Sequence, residues 1–185
     1  MKLNITARTV GKKSDAKKIR REGNIPAIVY VNGKKGEEIV VEGGAFRKAL
    51  NHIEKGTLAT QIFTLQKEGK QRRAILKDIQ YKPTNYEIIH LDFAEIDDKK
   101  PVKVNVSIRC TGMDRSIGVQ QGGVLRQVIR NMRVNCLPKD IPSYFELDVS
   151  SLGLGQTKKL RDIALPKGVS SEAGLNEVAA VIAKR

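Results

Sequence analysis

The chain has 185 residues, 40% of them hydrophobic, with 34 Lys and Arg against 20 Asp and Glu and a formal charge of +14. That much apolar material excludes wholesale disorder, and the length allows one large domain or two of roughly 90 residues. Aromatic residues are only 4% with no Trp, which argues against a reader of single-stranded bases built on rows of stacking rings. The longest apolar runs fall far short of the ~20 residues of a membrane span. The start, MKLNITARTVGKK, lacks the apolar centre of a signal peptide. Cys110 and Cys136 form no metal spacing and no disulfide framework. The expectation is a soluble, basic, reduced cytosolic protein with no membrane contact.

Residues 1–21 hold eight basic side chains (Lys2, Arg8, Lys12, Lys13, Lys17, Lys18, Arg20 and Arg21) against Asp15 alone, so half of the net charge lies in the first ninth of the chain. A solvated helix usually alternates signs to gain i,i+4 pairs, whereas a one-signed surface repels itself unless something negative binds there. Local chemistry predicts a helix of about two turns here, with Ser14 as N-cap, Asp15 at the positive end of the dipole and Gly23 as left-handed stop. Ala16 and Ile19 would face a neighbouring barrel, with Lys13, Lys17, Arg20 and Arg21 roughly opposite. A polyanion is the natural partner.

Ile25 to Val31 follows as an apolar β run, and Asn32-Gly33-Lys34-Lys35-Gly36 turns it back into a strand at Glu38 to Glu42. Ala45 to Glu54 reads as a helix with Phe46, Ala49, Leu50 and Ile53 on one face and Gly56 as stop. Strands are predicted at Thr60 to Gln66 and Arg72 to Gln80, and the Lys82-Pro83-Thr84-Asn85 turn leads into another at Tyr86 to Phe93. Several short strands with one or two helices suggest a small β-barrel over residues 1–96. Asp97-Asp98-Lys99-Lys100-Pro101 reads as a linker to a second, mostly β domain over residues 97–185. There the strands are expected at Val102 to Ile108, within Val124 to Cys136 as a bent strand or a strand pair, at Tyr144 to Val149 and at Glu177 to Ala183. The fold class is mostly β with short helices, a β-barrel plus a second all-β domain.

No catalytic constellation emerges. His52 and His90 are the only histidines, and there is no Gly-x-Ser-x-Gly elbow, no Walker loop and no metal-binding cluster. Gly153-Leu154-Gly155-Gln156-Thr157-Lys158-Lys159 lacks the Gly-Lys-Ser/Thr end of a phosphate loop and sits between β segments. No enzyme activity, cofactor or metal is expected. The strand at Tyr86 to Phe93 is more informative. Alternation puts Ile89, Leu91 and Phe93 on one face and Tyr86, Ile88, His90 and Asp92 on the other, with Gln80 extending the second set. A carboxylate is a poor phosphate ligand, but it accepts hydrogen bonds from base amino groups or a ribose 2′-hydroxyl. Beside a basic helix, this patch suggests base or sugar readout within a phosphate-clamping surface.

The segments Ala16-Lys17-Lys18-Ile19-Arg20 and Ile25-Pro26-Ala27-Ile28-Val29-Tyr30, then Asp78-Ile79-Gln80 and His90-Leu91-Asp92-Phe93, resemble the signatures of a bacterial large-subunit ribosomal protein family. It is protein twenty-five of that subunit, whose two-domain members are called CTC or general stress proteins. Gly122-Gly123-Val124-Leu125, Pro138-Lys139-Asp140-Ile141-Pro142, Leu147-Asp148-Val149-Ser150 and Leu165-Pro166-Lys167-Gly168 resemble the domain carried by the longer members. The resemblance implies a barrel that binds 5S rRNA near its internal loop E, a second all-β domain, and a monomer held among other large-subunit proteins. It implies that Lys13, Lys17, Lys18, Arg20 and Arg21 meet the RNA backbone from the helix. Tyr30, Gln80, His90 and Asp92 would face the internal loop, with Arg8 contributing from the first strand. Gly155-Gln156-Thr157-Lys158-Lys159-Leu160 departs from the more acidic or hydroxylic family pattern, and the acidic tail of some longer members is absent. Two other readings remain open. One is a tRNA-binding module, because the expected barrel resembles the anticodon-binding part of glutaminyl-tRNA synthetase. The other is a protein–protein adaptor working through the second domain.

Overall fold

A computed structural model describes residues 1–8, 13–30, 36–67 and 69–184, with the side chain of Lys13 outside that set. The chain divides into two compact units, Met1–Lys100 and Pro101–Arg185. The first holds β1 (Lys2–Ala7), α1 (Lys13–Arg21), β2 (Ile25–Tyr30), β3 (Glu37–Val41), α2 (Gly43–His52), β4 (Ile62–Lys67), β5 (Lys70–Tyr81) and β6 (Ile88–Glu95). Its strands close into a barrel in the order β1-β3-β2-β6-β5-β4. Closure depends on two parallel pairings, β1 with β4 and β2 with β6, between segments far apart in sequence.

Alternation along these strands sends Leu3, Ile5, Ala27, Val29, Ile39, Val41, Phe63, Leu65, Leu91 and Phe93 inward, all nearly or fully buried. The apolar face of α2 adds Phe46, fully buried, with Ala49 and Leu50 packed beside it. Phe63 sits between two other rings, 6.1 Å from Phe46 and 5.8 Å edge-to-face from Phe93. Glu37 on β3 accepts from Lys67 Nζ and Arg72 Nη1, each at 2.6 Å. It thus ties its strand to β4 and β5, which are not its hydrogen-bonded neighbours. Those two bonds hold its carboxyl below the ordinary glutamate value of 4.5. A carboxylate with a depressed folded pKa stabilises fully above its unfolded value and loses that contribution as pH falls through the folded one. The urea midpoint of the native protein should therefore exceed that of Glu37→Gln most at neutral pH, and the gap should narrow as pH falls below the ordinary value of 4.5 and close once it is below the depressed folded one.

Three local expectations are corrected. α1 begins at Lys13, so Ser14 lies inside the first turn and its hydroxyl donates to Asp15 Oδ1 at 3.2 Å instead of capping the helix. α2 ends at His52 because Ile53 turns extended; Gly56, at φ 88°, redirects the chain afterwards and is not the stop. β6 begins at Ile88, and Tyr86 stands outside it in the left-handed region at φ 55°. The Lys82–Glu87 turn requires this, with Tyr86 N–H donating to Lys82 O and Lys82 N–H to Glu87 O. The expected stop at Gly23 holds. At φ 81°, its N–H donates to Arg20 O while Asn24 N–H reaches Ile19 O, the paired bonds of a Schellman end. Most of the turn expected at residues 32–36 falls outside the described residues.

The second unit contains β7 (Val102–Thr111), α3 (Ile117–Gln120), β8 (Val124–Gln127), β9 (Asn131–Cys136), β10 (Tyr144–Asp148), β11 (Thr157–Lys159), β12 (Val169–Ser171) and β13 (Val178–Ala183). These form a sheet of order β10-β7-β9-β12 and a smaller one of order β11-β13-β8. The run from Val124 to Cys136 is thus a strand pair whose halves join different sheets. Val106, Met132, Val134, Leu147, Leu160 and Ile182 form the shared core. Cys110 and Cys136 are free, and burial pushes both thiols above their ordinary pKa, as suits packing residues. Gly155 leads into β11, with no helix where a phosphate loop would need one.

Candidate nucleic-acid interface

Two β-bulges shape the outer face of the barrel. On β5, Lys77 is an extra residue between the pairs Leu76–Phe93 and Asp78–Asp92. On β6, Ile89 is extra between Gln80–His90 and Tyr81–Ile88. Each bulge reverses strand parity locally. Between them, Ile79 and Leu91 face inward, while Asp78 and Gln80 stand directly across from Asp92 and His90 on the outside. Beyond the second bulge Ile88 packs against the core, so the exposed set expected for this strand loses Ile88, while Tyr86 is exposed but stands outside the strand.

His90 and Asp92 are i,i+2 neighbours on one face, and His90 Nδ1 lies 2.6 Å from Asp92 Oδ1. A carboxylate only accepts, so Nδ1 carries the proton and Nε2 is left to face outward interactions. The row continues across the sheet. Asp92 is in register with Asp78 on one side and Ile28 on the other, and Ile28 with Glu38. Three carboxylates thus stand in one row. Glu38 pairs with Arg8 at 2.8 Å and Asp92 with His90, while Asp78 has no partner among the described residues. Like charges directly opposite destabilise a sheet, so Asp78 facing Asp92 is a cost unless donors arrive from outside. Tyr30, 46% exposed, lies on the same face beside Ala94, whose small side chain leaves its ring open. Gly36 approaches Ile28 and Tyr30 so closely that a Cβ there would meet Ile28 Cδ1 at 2.9 Å.

The basic helix lies next to this face. Ala16 and Ile19 are half-buried toward the barrel, and Lys17, Lys18 and Arg21 are exposed with no ion pair among the described residues. Arg20 departs from the expected arrangement. It flanks the apolar stripe instead of opposing it, and its Nε donates to Ile89 O at 3.0 Å. Ile89 is the bulged residue, left without a partner in the strand register, so the bulge and the helix anchor are one device. Lys13 opens the helix, but its side chain lies outside the described residues, as does Lys12. Arg8 sits one residue beyond β1, held by Glu38, with its Nε buried and unpartnered among the described residues. His52 is separate from the face. Its Nδ1 donates to Lys48 O at 2.7 Å at the end of α2.

The structure therefore brings Tyr30, Gln80, His90 and Asp92 onto one face with Arg20 anchored at its edge, and places Arg8 across it in an ion pair. The expected site residues did not include Asp78. The pairing of Gln80 with an i−2 neighbour on the same face was the available signal. Among the described residues no group of three or more His, Cys, Asp or Glu could hold a metal, and no helix is long and apolar enough to cross a membrane.

A barrel with a polar outer face beside a basic helix, followed by an all-β second unit, defines the class: a two-unit β protein that presents charge and hydrogen-bonding groups on the outside of a closed sheet. The ribosomal L25p family matches residues 3–93, and the C-terminal domain of ribosomal protein TL5 matches residues 101–185. The large ribosomal subunit protein bL25 of Chlamydia pneumoniae is 49% identical over 185 residues, the whole of both chains. Those of Chlamydia trachomatis serovar L2 and Chlamydia caviae are 50% and 49% identical over the same full span. The chain belongs to the ribosomal L25p family in its two-domain form. It is a structural protein of the large ribosomal subunit in the cytoplasm, not an enzyme.

Proposed function

We propose that the barrel binds 5S rRNA at the distorted internal loop E region, with phosphates on α1 and base or sugar edges on the outer face of β5, β6 and β2. The observation that carries this reading is the row Glu38–Ile28–Asp92–Asp78 with His90 hydrogen-bonded to Asp92. A surface meant only for a polyanion would not line up carboxylates beside its cations. A surface that accepts hydrogen bonds from base amino groups or 2′-hydroxyls, while lysines and arginines hold the backbone, has reason to carry both. Lys17, Lys18, Arg20 and Arg21 supply the sequence-independent affinity, with Lys13 beside them; Tyr30, Gln80, His90 and Asp92 supply discrimination. Arg8 contributes if RNA displaces Glu38 from it. The second unit would then face other components of the large subunit, with the protein acting as a monomer there.

The test is binding of the full chain to 5S rRNA and to the same RNA with its internal loop replaced by regular pairs. Tight binding to the first and a large loss on the second are expected. If about six phosphates are engaged, log affinity falls with log salt at a slope of about −4 to −5. Equal affinity for both RNAs, or a tRNA competing on equal terms, overturns the reading.

A further inference from the structure

One strongly charged feature is left over by the strand face. A cavity of about 460 Å³ opens between the end of α1, the first turns of α2 and the β5–β6 turn. Its walls carry Lys17, Arg20 and Arg21 from α1, Arg47 from α2 and Lys82 from the turn, with Glu87 the sole carboxylate in the lining among the described residues. Elsewhere on the barrel arginines are neutralised: Arg8 by Glu38, Arg72 by Glu37 and Arg73 by Asp98. Here none of the five cations forms an ion pair among the described residues, so no direct pairing offsets their mutual repulsion.

Two of the guanidinium groups are already oriented. Arg20 Nε donates to Ile89 O at 3.0 Å and Arg47 Nε to Gly43 O at 3.2 Å. A guanidinium fixed through Nε presents its two Nη groups as a fork, the geometry that matches two oxygens of a phosphate. The fold holds the two helices together at this point. Gly23 O comes so near Gly43 that a Cβ there would lie 2.1 Å away, so only glycine allows the Schellman end of α1 to rest on the start of α2. Among the described residues the lining contains no aromatic ring to stack a nucleobase. It ends at Ile88 and Ile89, and His90 is the next residue along β6.

We propose that this cavity is a backbone-phosphate subsite, in which the forks of Arg20 and Arg47 hold phosphate oxygens of the RNA strand and Lys82 supports its next phosphate. This rests on the RNA-binding reading above and extends the footprint beyond α1 to α2 and the β5–β6 turn. It requires a strand running from the cavity onto the His90–Asp92 face without a break.

The experiment measures binding of full-length Arg47→Gln, Lys82→Gln, Arg47→Lys and Arg161→Gln to 5S rRNA and to its loop-replaced form across a salt series. Arg47→Gln and Lys82→Gln should each lower the magnitude of the salt slope by roughly 0.7–0.9 and weaken both RNAs to the same degree. Arg47→Lys should keep the slope yet bind more weakly, because it retains the charge and loses the fork. Arg161→Gln, the same charge change in the second unit, should leave the slope unchanged. Thermal unfolding of each variant guards against a folding defect, and Lys82→Gln, on an exposed turn, carries the test if Arg47→Gln misfolds. Normal RNA binding by the native protein with unchanged slopes in both Gln variants overturns the subsite alone. Failure of the native protein to bind 5S rRNA overturns both readings. Saturable binding of inorganic phosphate that Arg47→Gln abolishes, with RNA slopes unmoved, assigns the cavity to a free anion and overturns its role in RNA binding.

Discussion

Asp92→Ala should lower affinity for 5S rRNA by roughly 10- to 100-fold, a loss of about 1–3 kcal/mol per good base contact, and leave affinity for the loop-replaced RNA nearly unchanged. The carboxylate has two duties in the structure. It offers acceptors on the outer face, and it holds the His90 ring through the 2.6 Å bond to Nδ1, which sets the tautomer and aims Nε2. Removing it also frees the imidazole, so His90→Ala and the double variant should cost little more than Asp92→Ala; a double-mutant cycle reads this coupling directly. Lys17→Ala should weaken both RNAs alike, because a phosphate contact carries no sequence information. Equal losses on the two RNAs for Asp92→Ala would remove the division between readout and clamping. Asp78→Asn adds a contrast. It relieves a like-charge pair and should raise the thermal midpoint of the free protein while lowering discrimination if Asp78 accepts from the loop.

Phe63→Ala should destabilise the barrel by about 3–5 kcal/mol. The ring is fully buried between Phe46 and Phe93, so truncation leaves a hole bounded by a helix and two strands whose mutual positions are fixed by barrel closure. Such a site collapses poorly, which puts the loss at the upper end for its chemistry. For a unit of this size each kcal/mol is about 4–8 °C in the thermal midpoint. Calorimetry of the full chain should show the lowered transition assigned to residues 1–100, with RNA binding lost at the same temperature. A change below about 1 kcal/mol would mean that the aromatic cluster is not the keystone the packing indicates.

Alternation made β7 and β10 legible, short apolar runs marked β2, β3 and β13, and α2 was legible from its apolar face, because each of these signals is carried by residues close together in the chain. The helix stop at Gly23 was readable for a similar reason: its chemistry is local, spanning residues 19 to 24. The bulges were not readable. Nothing in Lys77 or Ile89 as residue types marks an extra position, since a bulge is a mismatch between two strands and exists only once they pair. Alternation carried past Ile89 therefore placed Ile88 outside, where it packs on the core, and Ile89 inside, where it is the unpaired bulge residue. Arg20 lies four residues after Ala16, so helix spacing already set it beside the apolar stripe; only its partner, the Ile89 carbonyl at the bulge, was not readable.

The charge, the basic helix, the mostly β architecture and the polar pair on β6 were all readable before folding, because composition and short-range periodicity act within a few residues. Long-range packing set the parallel pairing that closes the barrel, the row from Glu38 to Asp78, the close approach of Gly23 and Gly43, and the placing of Arg20 and Arg47 around one cavity. Each of those depends on contacts between segments distant in the chain, where a shift of one residue turns every side chain to the other face.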